Sequence, residues 1–451
     1  MATSTEVPSG EVSRTWVGTA ALIGTTIEFY DFYIFGIASA LVFNKIFFPT
    51  LDPVAGTIAA FAAFGVGFVS RPLGAMLFGH FGDRIGRKAT LIASLLTMGI
   101  ATVVIGLLPT YADIGIWAAV LLSLLRFVQG IGLGGEWGGA ALLATEYAPK
   151  EKRGLFGSLP QLGAAPGLLL ANGVFLGLNL ALTPEQMMSW GWRVPFLASF
   201  ILIILGLYIR LSIAETPVFR RVIARQEQSK APVLAVIKSQ FPQVVLGGFS
   251  TAITYVLFYT TSTFGLTYGV ATLGFTRSHM LSLSMIAVVA MAVATVAFGM
   301  IGDRIGRPRT IILSGIAAII WGFCFFPALD TKISLIMCLA MSISLVVMGG
   351  IYGPMGAFLP ELFKPSMRYT GASLAYSLGG IFGGAMAPMV GAEIAAKFGS
   401  HAIGYYIAGM ALLSILSVAY LRNNMPASFE VETPERRDTG HQPKLAPESA
   451  A

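Results

Sequence analysis

Twelve stretches of about twenty mainly apolar residues recur along this chain, each long enough to cross a bilayer as a helix. They lie near 16–43, 53–80, 88–109, 114–145, 155–180 and 192–212, and then near 241–271, 278–301, 309–328, 331–361, 370–396 and 401–421. Only 11% of the 451 residues are charged, against roughly a quarter in soluble globular chains. A soluble protein this long could not clothe itself in so few charges, which excludes a cytoplasmic enzyme and any fibrous, disordered or disulfide-stapled class. The two cysteines, Cys324 and Cys338, sit in apolar segments and imply neither disulfide nor metal. Fifty-two glycines suit close approach of membrane helices. The fold class expected is all-α integral membrane.

Orientation follows from the 29 lysines and arginines. Most fall in the loops after even-numbered spans, in the linker between the halves and in the tails. The opposite loops hold only Lys45, Arg193, Arg277, Lys332 and Lys397. Both termini are therefore expected in the cytoplasm. The net charge of +7 then reports topology and contact with anionic lipid, with no nucleic-acid partner. The polar N-terminus lacks a positive n-region and a cleavage site, so no removed signal peptide is expected.

The chain repeats itself. Gly79-His80-Phe81-Gly82-Asp83-Arg84-Ile85-Gly86-Arg87-Lys88 returns 220 residues later as Gly299-Met300-Ile301-Gly302-Asp303-Arg304-Ile305-Gly306-Arg307-Pro308. Glu146…Arg153 after the fourth span is echoed by Glu361…Arg368 after the tenth. Two echoes in matching order point to duplication of a six-helix unit, the arrangement of one transporter class with its site between the halves. The domains expected are a tail at 1–15, a bundle at 16–212, a linker at 213–240, a second bundle at 241–421 and a tail at 422–451.

The G-x-x-x-D-R-x-G-R-[KR] loop resembles the signature of the major facilitator superfamily. The run Arg126-Phe127-Val128-Gln129-Gly130-Ile131-Gly132-Leu133-Gly134-Gly135-Glu136-Trp137-Gly138-Gly139-Ala140 is similar to its metabolite:proton symporter branch. So are Tyr30-Asp31-Phe32 and Ser189-Trp190-Gly191-Trp192-Arg193-Val194-Pro195-Phe196. That branch includes shikimate, α-ketoglutarate, citrate and proline/betaine carriers. The resemblance covers about residues 16–421 and is specific for family but weak for substrate. The polar tail from Arg422 lacks the coiled coil associated with osmosensing betaine carriers, which lowers the expectation of an osmolyte.

A carboxylate at a helix end can pair with nearby arginines and with the positive N-terminus of a facing helix. The resemblance assigns such a conformational latch to Gly79, Asp83, Arg84, Gly86, Arg87 and Lys88 and to Asp303, Arg304 and Arg307, joined by Glu146 with Arg153 and Glu361 with Arg368. The plainer reading is that these charges solvate loops and set topology.

Ionisable groups deep in a bilayer are costly and mark function. Here they are Glu28 and Asp31 in the first span, Arg71 in the second, and Arg126 and Glu136 in the fourth. No histidine lies in mid-membrane, so proton coupling would have to use Glu28, Asp31 or Glu136. Glu28 and Asp31 are i, i+3 neighbours suited to holding one proton between them. In this fold Arg126 can reach Asp31. A carboxylate that pairs with Arg126 when the site is empty, and is protonated when Arg126 takes a substrate carboxylate, would couple the two fluxes. A fixed structural pair is the rival reading.

Guanidinium matches carboxylate bidentately, so Arg126 and Arg71 favour an organic-acid substrate. Gln129 shares a face with Glu136, and Trp137 with Arg126. Gln161, Tyr33, Tyr255, Tyr259, Tyr352 and Tyr376 offer neutral hydrogen bonds, though a membrane tyrosine is more often packing. The function expected is a proton-coupled symporter importing a small organic acid, shikimate-like or another carboxylate, by alternating access in the bacterial inner membrane. It would need no metal and no cofactor beyond the proton gradient, and would act as a monomer in the lipid bilayer. A betaine or proline carrier is the alternative, and a drug/proton efflux antiporter fits less well. No nucleophile–base pair suggests an enzyme.

Overall fold

The computed structural model describes residues 14–85, 87–146, 148–212, 232–363 and 368–423. Helices fill every place the hydropathy predicts. The first half is built from Arg14–Ala38, Pro53–Val69 with Arg71–Ile85, Arg87–Leu107, Ile116–Gly134 with Trp137–Glu146, Arg153–Leu162 with Ala164–Ala181, and Arg193–Ser212. The second half is built from Pro232–Tyr259, Arg277–Ile305, Arg307–Asp330, Ser334–Glu361, Arg368–Gly379 with Met386–Phe398, and Ile403–Asn423. Among the described residues, ten of these runs are long and apolar enough to cross a membrane. An eleventh is the pair Pro184–Gly191 and Arg193–Ile209, bent by 46°, and the shorter apolar run Ile92–Leu107 occupies the third place.

The seventh span begins at Pro232, where hydropathy places its start near 241. Its first turns carry Lys238, Ser239 and Gln240, too polar to register as membrane-spanning, and the backbone at Gln240 leaves the helical region (φ −135°, ψ 27°). Residues 213–231, most of the predicted linker, lie outside the described residues.

Several spans are interrupted. The first continues through a π-helical turn, Ser39–Phe43, and the seventh through another, Thr260–Phe264, at the matching place of the repeat. The eleventh contains a third, Gly380–Ala385, and the fifth breaks at Gly163 beyond Pro160. Turns of this kind widen a helix locally and gather at functional sites. Large apolar side chains such as Ile201, Val293 and Leu335 face outward, as expected where lipid is the solvent.

Within the first half the third span packs on the fourth and sixth, and the first on the fifth. In the second half the eighth packs on the tenth, the ninth on the tenth and twelfth, and the seventh on the eleventh. Between halves the fifth span meets the eighth and tenth, and the second meets the eleventh. Glycine makes one of these contacts possible: a Cβ on Gly356 of the tenth span would lie 2.1 Å from the Gly157 carbonyl oxygen of the fifth.

Candidate functional site

A cavity lies between the halves. The first span gives it Thr25, Glu28 and Phe29, the second Arg71, and the fourth Leu133, Gly134, Glu136, Trp137 and Ala140. The fifth adds Pro160 and the eleventh Ser373, Tyr376 and Ser377. Glu28, Arg71 and Glu136 are all buried. Trp137 and Tyr376, from opposite halves, stack face to face with ring centroids 3.9 Å apart.

Arg126 sits behind this cavity in an aromatic box. Its guanidinium lies 4.0 Å from the ring centre of Phe32, 4.3 Å from Phe35 and 4.9 Å from Phe64. The guanidinium of Arg71 lies 4.4 Å from the same Phe32 ring and 4.5 Å from Phe68. One phenyl ring thus serves two cations, and desolvated contacts of this kind are worth about 2 kcal/mol each. They offset part of the cost of burying Arg126 completely. Its Nε also donates to the Phe64 carbonyl at 3.3 Å and its Nη1 to Gln129 Oε1, while Nη2 has no hydrogen-bond partner in the protein.

The expected ion pair between Arg126 and Asp31 is absent; Gln129 stands between them. Its Nε2 donates to the backbone carbonyl of Asp31 at 3.1 Å and to Thr102 Oγ1 at 2.8 Å. Phe32 and Phe35 of the first span pack their rings on the Arg126 guanidinium. The fully buried carboxyl of Asp31 instead neighbours Thr102 and Ser199. Those hydroxyls donate to helix carbonyls of Met98 and Pro195, and both Asp31 oxygens remain without a hydrogen bond.

All five tyrosines singled out in the sequence are buried near this interface. Tyr255 packs on Tyr376 (5.3 Å between ring centres) and on Tyr259 (6.3 Å), and the Tyr352 and Tyr376 hydroxyls are 3.5 Å apart. Tyr33 stacks on Phe29 and packs on Phe258 of the opposite half. Gln161 reaches across rather than into the cavity, its Nε2 donating to the Tyr352 carbonyl. Ser373 and Ser377 were not legible as site residues. The available signal is their i, i+3, i+4 spacing with Tyr376, which sets all three on one helix face.

At one end of the bundle Asp303 caps a helix of the other half. Its Oδ1 accepts from the Gly154 backbone N–H at 2.7 Å and its Oδ2 from Leu155 at 2.9 Å, at the start of Arg153–Leu162. Arg307 bonds Asp303 at 3.1 Å and also pairs with Glu361. Arg304 is exposed, and Arg368 is buried with its Nε donating to the Phe363 carbonyl at 3.4 Å. Gly86, and the side chains of Asp83, Arg84, Arg87, Lys88 and Glu146 together with the surroundings of Gly79, lie outside the described residues. At the opposite end Thr267 Oγ1 donates to the Ala40 carbonyl at 3.1 Å, and Gly65 abuts Ala385. The halves therefore touch at both ends of the bundle.

The sequence profile of the sugar (and other) transporter family matches residues 16–245. An inner membrane metabolite transport protein of Escherichia coli is 48% identical over 90% of this chain and 93% of its own length. The shikimate transporter of Escherichia coli is 35% identical over 94% of this chain and 99% of its own. Among solved structures, the major facilitator proton:xylose symporter superposes with a TM-score of 0.70 at 19% identity, covering 91% of this chain and 96% of that one. The relatives are transporters and not enzymes. With a full-length relative at 48% identity and a family profile spanning half its residues, this chain belongs to the sugar (and other) transporter family of the major facilitator superfamily.

Proposed function

We propose that the protein is a proton-coupled symporter that carries a small organic acid into the cytoplasm by alternating access. The observation that carries this reading is the cavity between the halves that Arg71, Glu28 and Glu136 all border, with Arg126 and Asp31 buried nearby. Arg71 offers a planar, bidentate partner for a substrate carboxylate. Bringing that anion into a water-poor site already rich in carboxyl groups adds negative charge, which a co-bound proton balances. Glu28 borders the cavity and is the carboxyl best placed to accept that proton beside the substrate. Asp31 and Glu136 are the other candidates.

Arg126 acts from behind. It orients Gln129 and, through the shared Phe32 ring, the Arg71 guanidinium. The Asp303 cap, with Arg307 and Glu361, holds the halves together at the end assigned to the cytoplasm by the basic loops. Release inward would break those bonds, and release outward those around Thr267 and Ala40. Both termini then lie in the cytoplasm, and the resident membrane is the bacterial inner membrane, as in the similar metabolite transport protein.

Purified protein in liposomes, under an imposed pH gradient and screened against labelled carboxylates, betaine and proline, tests this. A carboxylate that accumulates more with the gradient than without it supports symport. Counterflow without any pH dependence identifies a passive uniporter and overturns it. Accumulation of betaine or proline alone moves the assignment to a zwitterion carrier.

A further inference from the structure

Besides Arg71, whose Nε is unpaired, two residues bordering the cavity carry hydrogen-bonding groups that the described residues leave unused. Trp137 and Ser373 come from opposite halves, and both border the cavity along with Arg71. The Trp137 indole is fixed by its stack on Tyr376, the planes only 2° from parallel. Its Nε1 has no partner, and neither has the Oγ of Ser373, a residue 3% exposed.

Such groups are normally satisfied, because leaving a buried donor unpaired is costly. Serines within helices usually meet the need by bonding the carbonyl three or four residues back. Ser250, Ser262 and Ser417 do so in this chain, at 2.6, 2.8 and 2.8 Å. Ser373 does not. Trp192 and Trp321 also leave their indole N–H unpaired, but neither borders the cavity.

An indole N–H only donates, whereas a serine hydroxyl both donates and accepts. Together they complement an alcohol, whose oxygen accepts from Trp137 and whose proton is free for Ser373. A second carboxylate fits this wall poorly, since Glu28 and Glu136 border the same cavity. We infer that the substrate carries, besides the carboxylate held by Arg71, a neutral hydroxyl read jointly by Trp137 and Ser373. This selects hydroxylated acids over unsubstituted and dicarboxylic ones, and it rests on the organic-acid reading above.

The test uses matched acids with and without hydroxyls: shikimate against cyclohexene-1-carboxylate, and lactate against propionate. Uptake into proteoliposomes is measured under an imposed pH gradient for the unaltered protein, Ser373→Ala and Trp137→Phe. The second substitution keeps a ring to stack on Tyr376 while removing the N–H. A site built to bond a hydroxyl discriminates strongly against its loss. For at least one pair, the hydroxylated acid should show a KM at least tenfold below that of its partner. Each substitution should shrink that ratio tenfold or more. Equal KM values within both pairs, or a ratio unmoved by Ser373→Ala, overturn the subsite while leaving acid symport intact. If no acid of either kind accumulates, the organic-acid reading fails and the subsite falls with it. Should Trp137→Phe fail to elute as a folded protein, Ser373→Ala decides alone.

Discussion

Asp303 caps the helix that begins at Arg153, its two oxygens taking the backbone N–H groups of Gly154 and Leu155 in the other half of the molecule. A carboxylate at a helix N-terminus gains from the helix dipole as well as from both hydrogen bonds. Hydrogen bonds to charged groups are worth about 1.5–3 kcal/mol. Asp303→Asn keeps the shape but removes the charge and can offer only one acceptor oxygen. It should shift the balance away from closure at this end by roughly ten- to hundredfold. Inter-half distances from spin labels placed at that end would show the gain in open population; an unchanged distribution would count against the latch.

Gly67 leaves no room for a side chain beside Arg126. A Cβ there would lie 2.6 Å from the arginine Nε and 3.0 Å from its Cζ. Overpacking of this kind costs about 1–3 kcal/mol. Gly67→Ala should therefore cut initial uptake at least tenfold by displacing the guanidinium, with the protein still monodisperse by size exclusion. Uptake at the unaltered rate would show that the position of Arg126 is not critical.

Phe32 offers its ring to both Arg71 and Arg126. Phe32→Leu keeps an apolar side chain but removes the aromatic face, so both cations lose a partner. The expected loss is about 1–4 kcal/mol in total, seen as a lower melting temperature and weaker substrate binding. A Phe32→Tyr variant, which keeps the face, separates this effect from packing if it restores both.

Glu28→Gln removes the first-span carboxyl that borders the cavity without changing its size. Substrate-driven proton uptake should fall to background, measured with a pH-sensitive dye in the vesicle lumen, while counterflow of the same substrate persists. Undiminished proton uptake would transfer the role to Asp31 or Glu136.

The places of the spans were legible because each needs only a long apolar run, a property of composition summed over many residues. The start of the seventh span was not, since Lys238, Ser239 and Gln240 hide a real helix behind polar side chains. The five deep charges were found from their depth alone. Their partners were not, because spacing gives height along an axis and not the direction in which a residue faces. Asp31 and Arg126 lie at similar depth, yet the rings of Phe32 and Phe35 pack on the guanidinium and the Asp31 carboxyl does not reach it. The tyrosines stood out as large polar aromatics, whereas Ser373 resembles any serine that bonds its own helix. Only the missing bond distinguishes it, and no sequence pattern records that.

The π turns at Ser39–Phe43 and Thr260–Phe264 occupy the same place in the two halves. A π turn forfeits regular bonding and gains nothing for stability by itself. The two halves thus share the widened turn as they share the repeated loop around Asp83 and Asp303, and each half brings its own weak point to the pairing.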